Sequence, residues 1–147
     1  MNGLFSHILL PVDSSEECLA AGKLAVQLAK QWQARLTLLY VVDKKLVEEL
    51  ARIQARPQAE VREQLEATGW RYLSLCEHLA RDEGVNVRKT LSHGSPAAEI
   101  VDKALSENID LIVMAKSKQR GPRRLMLGRT LQRVIENAEC PLVVVKY

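Results

Sequence analysis

The chain predicts an α/β fold: a single doubly wound domain over residues 1–147, with a five-stranded parallel sheet in the order 3-2-1-4-5 and helices on both faces. Two observations predict it. Five short β-rich runs alternate with helical patterns along the whole chain, which implies right-handed crossovers between parallel strands. Several of those runs are nearly continuous in apolar residues, as strands covered on both faces require. A length of 147 residues suits one such domain and one proper core.

The first strand is HILLPV, residues 7–12. Ser14 with Glu17 three positions on reads as a capping box opening a helix through Leu19, Leu24, Leu28 and Trp32. RLTLLYVV, residues 35–42, is the second strand. Residues 44–56 then read as a short charged helix, Pro57 interrupts it, and residues 58–83 read as a longer one with Val61, Leu65, Leu73, Leu75 and Leu79 as its apolar positions. Gly84 ends that helix. VNVRKTL, residues 85–91, is the third strand. Ser95 followed by Pro96 is an N-cap with proline at the first helical position, ahead of Ile100, Ala104 and Leu105. IDLIVMA, residues 109–115, and PLVVVK, residues 141–146, supply the last two strands. Pro141 suits the start of an edge strand, and an uncovered Val143–Val145 edge would offer its backbone to a partner.

Composition narrows the class. A hydrophobic fraction of 47% with 27% charged residues is that of a soluble globular protein, and no apolar run approaches the roughly 20 residues needed to span a bilayer. The opening MNGLFSHILLPVDSS lacks a basic leader and a small-residue cleavage site, so the expected location is the cytoplasm and no membrane partner is expected. Cys18, Cys76 and Cys140 are too far apart for a metal or redox pair and read as buried free thiols. His7, His78 and His93 are equally scattered, so no metal site is expected. A net charge of +3 predicts no general affinity for nucleic acid.

The fold locates the site before any motif does. In open parallel sheets the ligand crevice lies at the carboxyl ends of the strands, where the winding reverses. With the strands ordered 3-2-1-4-5, the loops after strands 1 and 4 are neighbours there. The first, Pro11-Val12-Asp13-Ser14-Ser15, has no glycine and is neither a P-loop nor a dinucleotide fingerprint. The second, MAKSKQRGPRRLMLGRT from residue 114, carries Lys116, Lys118, Arg120, Arg123, Arg124 and Arg129 without an acidic residue, six of the 21 basic residues of the chain. Such a run reads as an anion site or as a solvated surface loop. A phosphoreceiver domain would need an acceptor aspartate where strand 3 ends in Thr90-Leu91-Ser92-His93. No nucleophile stands with a base, and no carboxylate pair has usable spacing.

Four segments carry a full-length resemblance: HILLPVDSSEEC, LLYVVD, HGSPAAEIV and DLIVMAKSKQRGPRRLMLGRTLQRVIENAECPLVVV. On these the chain resembles the universal stress protein family, a Rossmann-like domain of the adenine-nucleotide-binding type. The family's closing block has a strand ending in Met, a glycine, two residues, a second glycine, nine residues, then Gly-Ser or Gly-Thr. Here Ala115 takes the first glycine, Lys118 the second, Gly128 the third and Arg129 the serine, with Thr130 next. The resemblance implies that Asp13 and Val41, with Pro11 and Val12 beside them, hold the ribose and adenine side of a nucleotide. It implies that the Met114–Lys118 turn and a helix start at Gly128–Thr130 offer N–H groups to the phosphates. It further implies ATP or a related adenine nucleotide as ligand, Mg only with that nucleotide, and a homodimer through the C-terminal edge strand. Three functions stay open: a regulatory ATP-binding stress protein with at most weak ATPase activity, the same fold acting through protein partners without nucleotide, and an adenine-nucleotide hydrolase.

Overall fold

The computed structural model describes residues 4–116 and 122–146, except for the side chains of residues 122–127. Its elements are β1 (His7–Pro11), α1 (Glu16–Trp32), β2 (Arg35–Asp43), α2 (Lys44–Gln54), α3 (Gln58–Asp82), β3 (Val87–Gly94), α4 (Pro96–Ser106), β4 (Leu111–Ala115), α5 (Pro122–Asn137) and β5 (Leu142–Val145). All five strands are parallel and ordered β3-β2-β1-β4-β5. The predicted architecture is therefore the observed one.

Alternate residues along each strand feed two cores. Ile8, Leu10, Leu36, Leu38, Leu111 and Val113 join the inward side chains of α1 and α3. Leu9, Leu39, Ile112 and Met114 face Ile100 and Ala104 of α4 and Val134 of α5. A smaller cluster of Val42, Val47, Ala51 and Val61 seats α2 against the start of α3.

The helices differ from their predicted faces in an instructive way. In α1 the buried residues are Cys18, Ala21, Gly22, Ala25, Val26 and Ala29, while Leu19 and Leu24 are exposed. Small side chains win the inward face because they let the helix lie close to β1, and a methyl added at Gly22 would sit in ordinary contact with Leu10 at 3.5 Å, leaving no room for anything larger. Leu75 and Leu105 are likewise outside, displaced by Cys76 and Ala104. On α3, Gly69 lies directly on the Tyr40 ring, where a Cβ would come within 2.4 Å of it. Helix α3 ends as predicted, with Gly84 at φ 74.

Strand 3 starts and ends later than its apolar run, and strand 4 starts two residues later. Asn108 closes α4 in the left-handed region, and Ile109 and Asp110 connect it to β4. The Asp110 carboxylate turns back to β1: Oδ2 accepts from Ser6 N and Ser6 Oγ at 2.8 Å each, and Oδ1 from His7 N at 3.1 Å. Burial acts to raise this carboxyl, yet the N–H groups of Ser6 and His7 and the Ser6 hydroxyl hold it below the usual carboxylate range. At one edge of the sheet β5 pairs, among the described residues, only with β4, and it is half-exposed along its length.

Candidate functional site

β2 outruns β1. Pro11 is level with Leu39, so Tyr40–Asp43 project past the end of β1 and form a step at the carboxyl edge. Val12 N donates to Leu39 O at 2.8 Å and carries the ladder one residue further before the chain turns. Asp13 follows. Its Oδ1 accepts from Ser15 N at 2.7 Å and from Ser15 Oγ at 2.5 Å, an Asx turn that sets the entry into α1. Ser15, not Ser14, is the N-cap, its Oγ accepting from Cys18 N at 3.1 Å. The Ser14–Glu17 capping box is thus corrected by one residue, because the Asp13 turn holds Ser15 at the helix mouth.

Asp13 Oδ2 has no hydrogen bond among the described residues. Behind it lies Cys18, whose Sγ accepts from Asp13 N at 3.3 Å and whose thiol is pushed well up by burial and by the Asp13 charge. The same two causes raise Cys76 to about 11. Both thiols therefore stay protonated, as packing groups rather than nucleophiles. Cys140 is half-exposed, so two of the three expected buried thiols are buried.

On the other side of β1, β4 ends in Met114, which is buried, and Ala115, which is half-buried. Lys116 N extends the pairing by donating to Val145 O at 2.9 Å. Val41 of β2 packs against the cluster that contains Met114. Pro11, Val12, Asp13, Val41, Met114 and Ala115 thus share the carboxyl edge of three adjacent strands. Lys118 lies outside the described residues.

Gly128, Arg129 and Thr130 are placed differently from expectation. Helix α5 begins at Pro122, so these residues lie beyond its first turn and do not start it. Proline fits the opening position because the first N–H of a helix needs no partner. Only first-turn amides lack an intrahelical acceptor, so the free N–H groups of this helix belong to residues nearer 122. A Cβ at Gly128 would meet no described atom within 4 Å, so no described neighbour demands glycine there.

One residue escaped the sequence reading. Ser92 stands level with Val41 in the β2–β3 ladder, and its hydroxyl is buried without a hydrogen-bond partner among the described residues. Only the register could reveal it. Nearby, a cavity of about 360 Å³ is lined by Val42, Lys44, Val47, Glu48, Gln58, Arg62 and His93, with His93 3.4 Å from Glu66. Among the described residues no group of three or more His, Cys, Asp or Glu side chains could hold a metal ion. No helix among them is long and apolar enough to cross a membrane.

A five-stranded 3-2-1-4-5 sheet, with polar and apolar side chains gathered where β1 and β4 end, defines the class: a doubly wound α/β domain with its candidate site at the carboxyl edge. The chain belongs to the universal stress protein family, whose model matches residues 4–146. It is 36% identical over 144 residues to universal stress protein MJ0531 of Methanocaldococcus jannaschii, covering 97% of this chain and 83% of that one. Among solved structures it is similar to UspA from Lactobacillus plantarum, with a TM-score of 0.70, 29% identity and 98% and 99% of the two chains covered. The universal stress protein from Archaeoglobus fulgidus in complex with dAMP shares the fold at a TM-score of 0.69 and 20% identity, over 98% of this chain and 100% of that one. A further universal stress protein, solved in complex with cAMP, shares it at 0.71 and 16%, over 97% of each chain.

Proposed function

We propose that this protein is a cytoplasmic, homodimeric stress-response protein that binds ATP or a related adenine nucleotide as a regulatory ligand at the carboxyl edge of β1 and β4. The observation that carries the reading is the Asp13 carboxylate. One oxygen is fixed by Ser15 and the other is unclaimed among the described residues, in the turn just past β1, the strand that runs between those carrying the apolar residues Val41 and Met114. A fixed carboxylate accepts two ribose hydroxyls well, and an apolar wall suits a base. The dAMP and cAMP complexes of proteins with this fold support the same ligand class. Mg enters only with the nucleotide. The regulatory role is supported by membership of the universal stress protein family, and it leaves at most weak ATPase activity. The half-exposed edge of β5 supports pairing with a second copy.

A second reading rests on Ala115 and Lys118, which stand where the family pattern has glycines. In it the fold is kept, nucleotide is not bound, and the protein acts through protein partners. Native mass spectrometry followed by calorimetric titration with ATP and Mg²⁺ separates the two. The first reading expects binding, and Asp13→Ala should weaken it about tenfold or more, the loss of a charged hydrogen bond. Absence of both co-purified nucleotide and binding at millimolar ATP overturns it in favour of the second.

A further inference from the structure

At the amino end of the sheet, opposite the proposed nucleotide edge, a cavity of about 350 Å³ opens between the starts of β1, β2 and β3 and the end of α4. Its size is at the lower end of small-ligand pockets, about 300 to 1,000 Å³. His7, Arg35, Thr37, Asn86, Arg88 and Glu107 supply its polar lining.

The floor is a buried neutral pair. His7 and Thr37 are 5% and 2% exposed, with His7 Nε2 2.7 Å from Thr37 Oγ1. Arg35 Nη2 lies 3.4 Å from His7 Nδ1. A guanidinium can only donate, so Nδ1 accepts, the proton sits on Nε2, and Thr37 Oγ1 accepts it. The Thr37 hydroxyl then keeps its own proton to give. Burial, then the fields of Arg35 and Arg88, lower the His7 pKa, which agrees with a neutral ring facing two cations.

The rim carries an unbalanced charge. Glu107, the acidic residue lining the cavity, already holds Arg88 and, at 3.0 Å, Lys103. Asp110 is taken up by Ser6 and His7. Among the described residues Arg35 has no carboxylate within ion-pair distance, and the Asn86 amide has no side-chain partner. We propose that this cavity is a phosphate-group site, distinct from the carboxyl edge, in which Arg35 clamps the oxyanion through its planar fork and Asn86 and Thr37 donate to it. Free phosphate and the phosphate of a small phosphomonoester present the same chemistry to these donors.

The test uses the full chain and two probes, inorganic phosphate and glycerol 3-phosphate, titrated at constant ionic strength with chloride as control and followed by ¹H–¹⁵N correlation spectra. Saturable shifts of the Leu36, Thr37 and Asn86 amides support the site, and the tighter of the two probes identifies the source. Arg35→Gln should weaken that binding about tenfold or more, Arg35→Lys should restore part of it, and Asp13→Ala should leave it unchanged. Shifts that never saturate, that match the chloride control, or that persist undiminished in Arg35→Gln overturn the proposal. Because the ATP titration reads the other end of the sheet, either reading can fail without the other.

Discussion

Two aspartates at opposite ends of the same sheet are used differently. Asp110, at the amino end, engages both oxygens with Ser6 and His7 and ties the start of β4 to the start of β1. Asp13, at the carboxyl end, engages Oδ1 with Ser15 two residues away and leaves Oδ2 open among the described residues. A carboxylate satisfied by distant backbone holds the fold together. One satisfied only locally and by half holds a loop in place and keeps capacity for something else. The pattern of satisfaction, and not the residue type, separates the structural aspartate from the candidate ligand-binding one.

The largest expected effect sits under the carboxyl edge. Tyr40 is the first residue of β2 past the level of Pro11, and Gly69 supports its ring at a distance no side chain could share. Gly69→Ala should therefore cost about 3 kcal/mol, the upper part of the range for overpacking, read as a drop in the urea midpoint. A variant as stable as the parent would show that α3 can slide off Tyr40 freely. The direct comparison comes next. Asp110→Ala should cost about 2 kcal/mol, through three lost hydrogen bonds to a charged acceptor, and Asp13→Ala about 1 kcal/mol or less, through the weakened entry to α1. Equal losses in the same denaturation experiment would erase the distinction drawn between the two ends.

The smallest effect is one of pH. The folded pKa of His7 lies below its ordinary value near 6.5, so folding disfavours the charged ring. The associated stability is complete above the unfolded pKa and is lost as pH falls through the folded one. Unfolding free energy should consequently fall more steeply below about pH 6.5 in the parent chain than in His7→Gln. Coincident slopes in denaturation series at matched pH would remove His7 from the account.

Much of this was legible in the sequence, because a buried parallel sheet writes itself as short apolar runs and the crossovers leave no freedom in the order of layers. Asp13 could be placed at the carboxyl edge because it follows such a run, whereas Val41 and Met114 were named only through the resemblance to the family. The inward face of α1 was harder to read. Leucines dominate the pattern, but close approach to β1 selects Ala21, Gly22 and Ala25. The start of α5 was misplaced for a related reason: Gly128 drew attention as an anion-site glycine, while Pro122 marked the first turn. The amino-end cavity was not legible at all. His7, Arg35, Asn86, Arg88 and Glu107 are isolated polar residues in the chain, and only the shared level of the strand starts brings them together.

The strand order also has a consequence for how the chain is made. β1 finds β2 soon after α1 is complete, but its other neighbour, β4, together with the Asp110 latch, is synthesised roughly a hundred residues later. A nascent chain emerging from the ribosome therefore carries β1 with one side unpaired until nearly the whole domain has been translated.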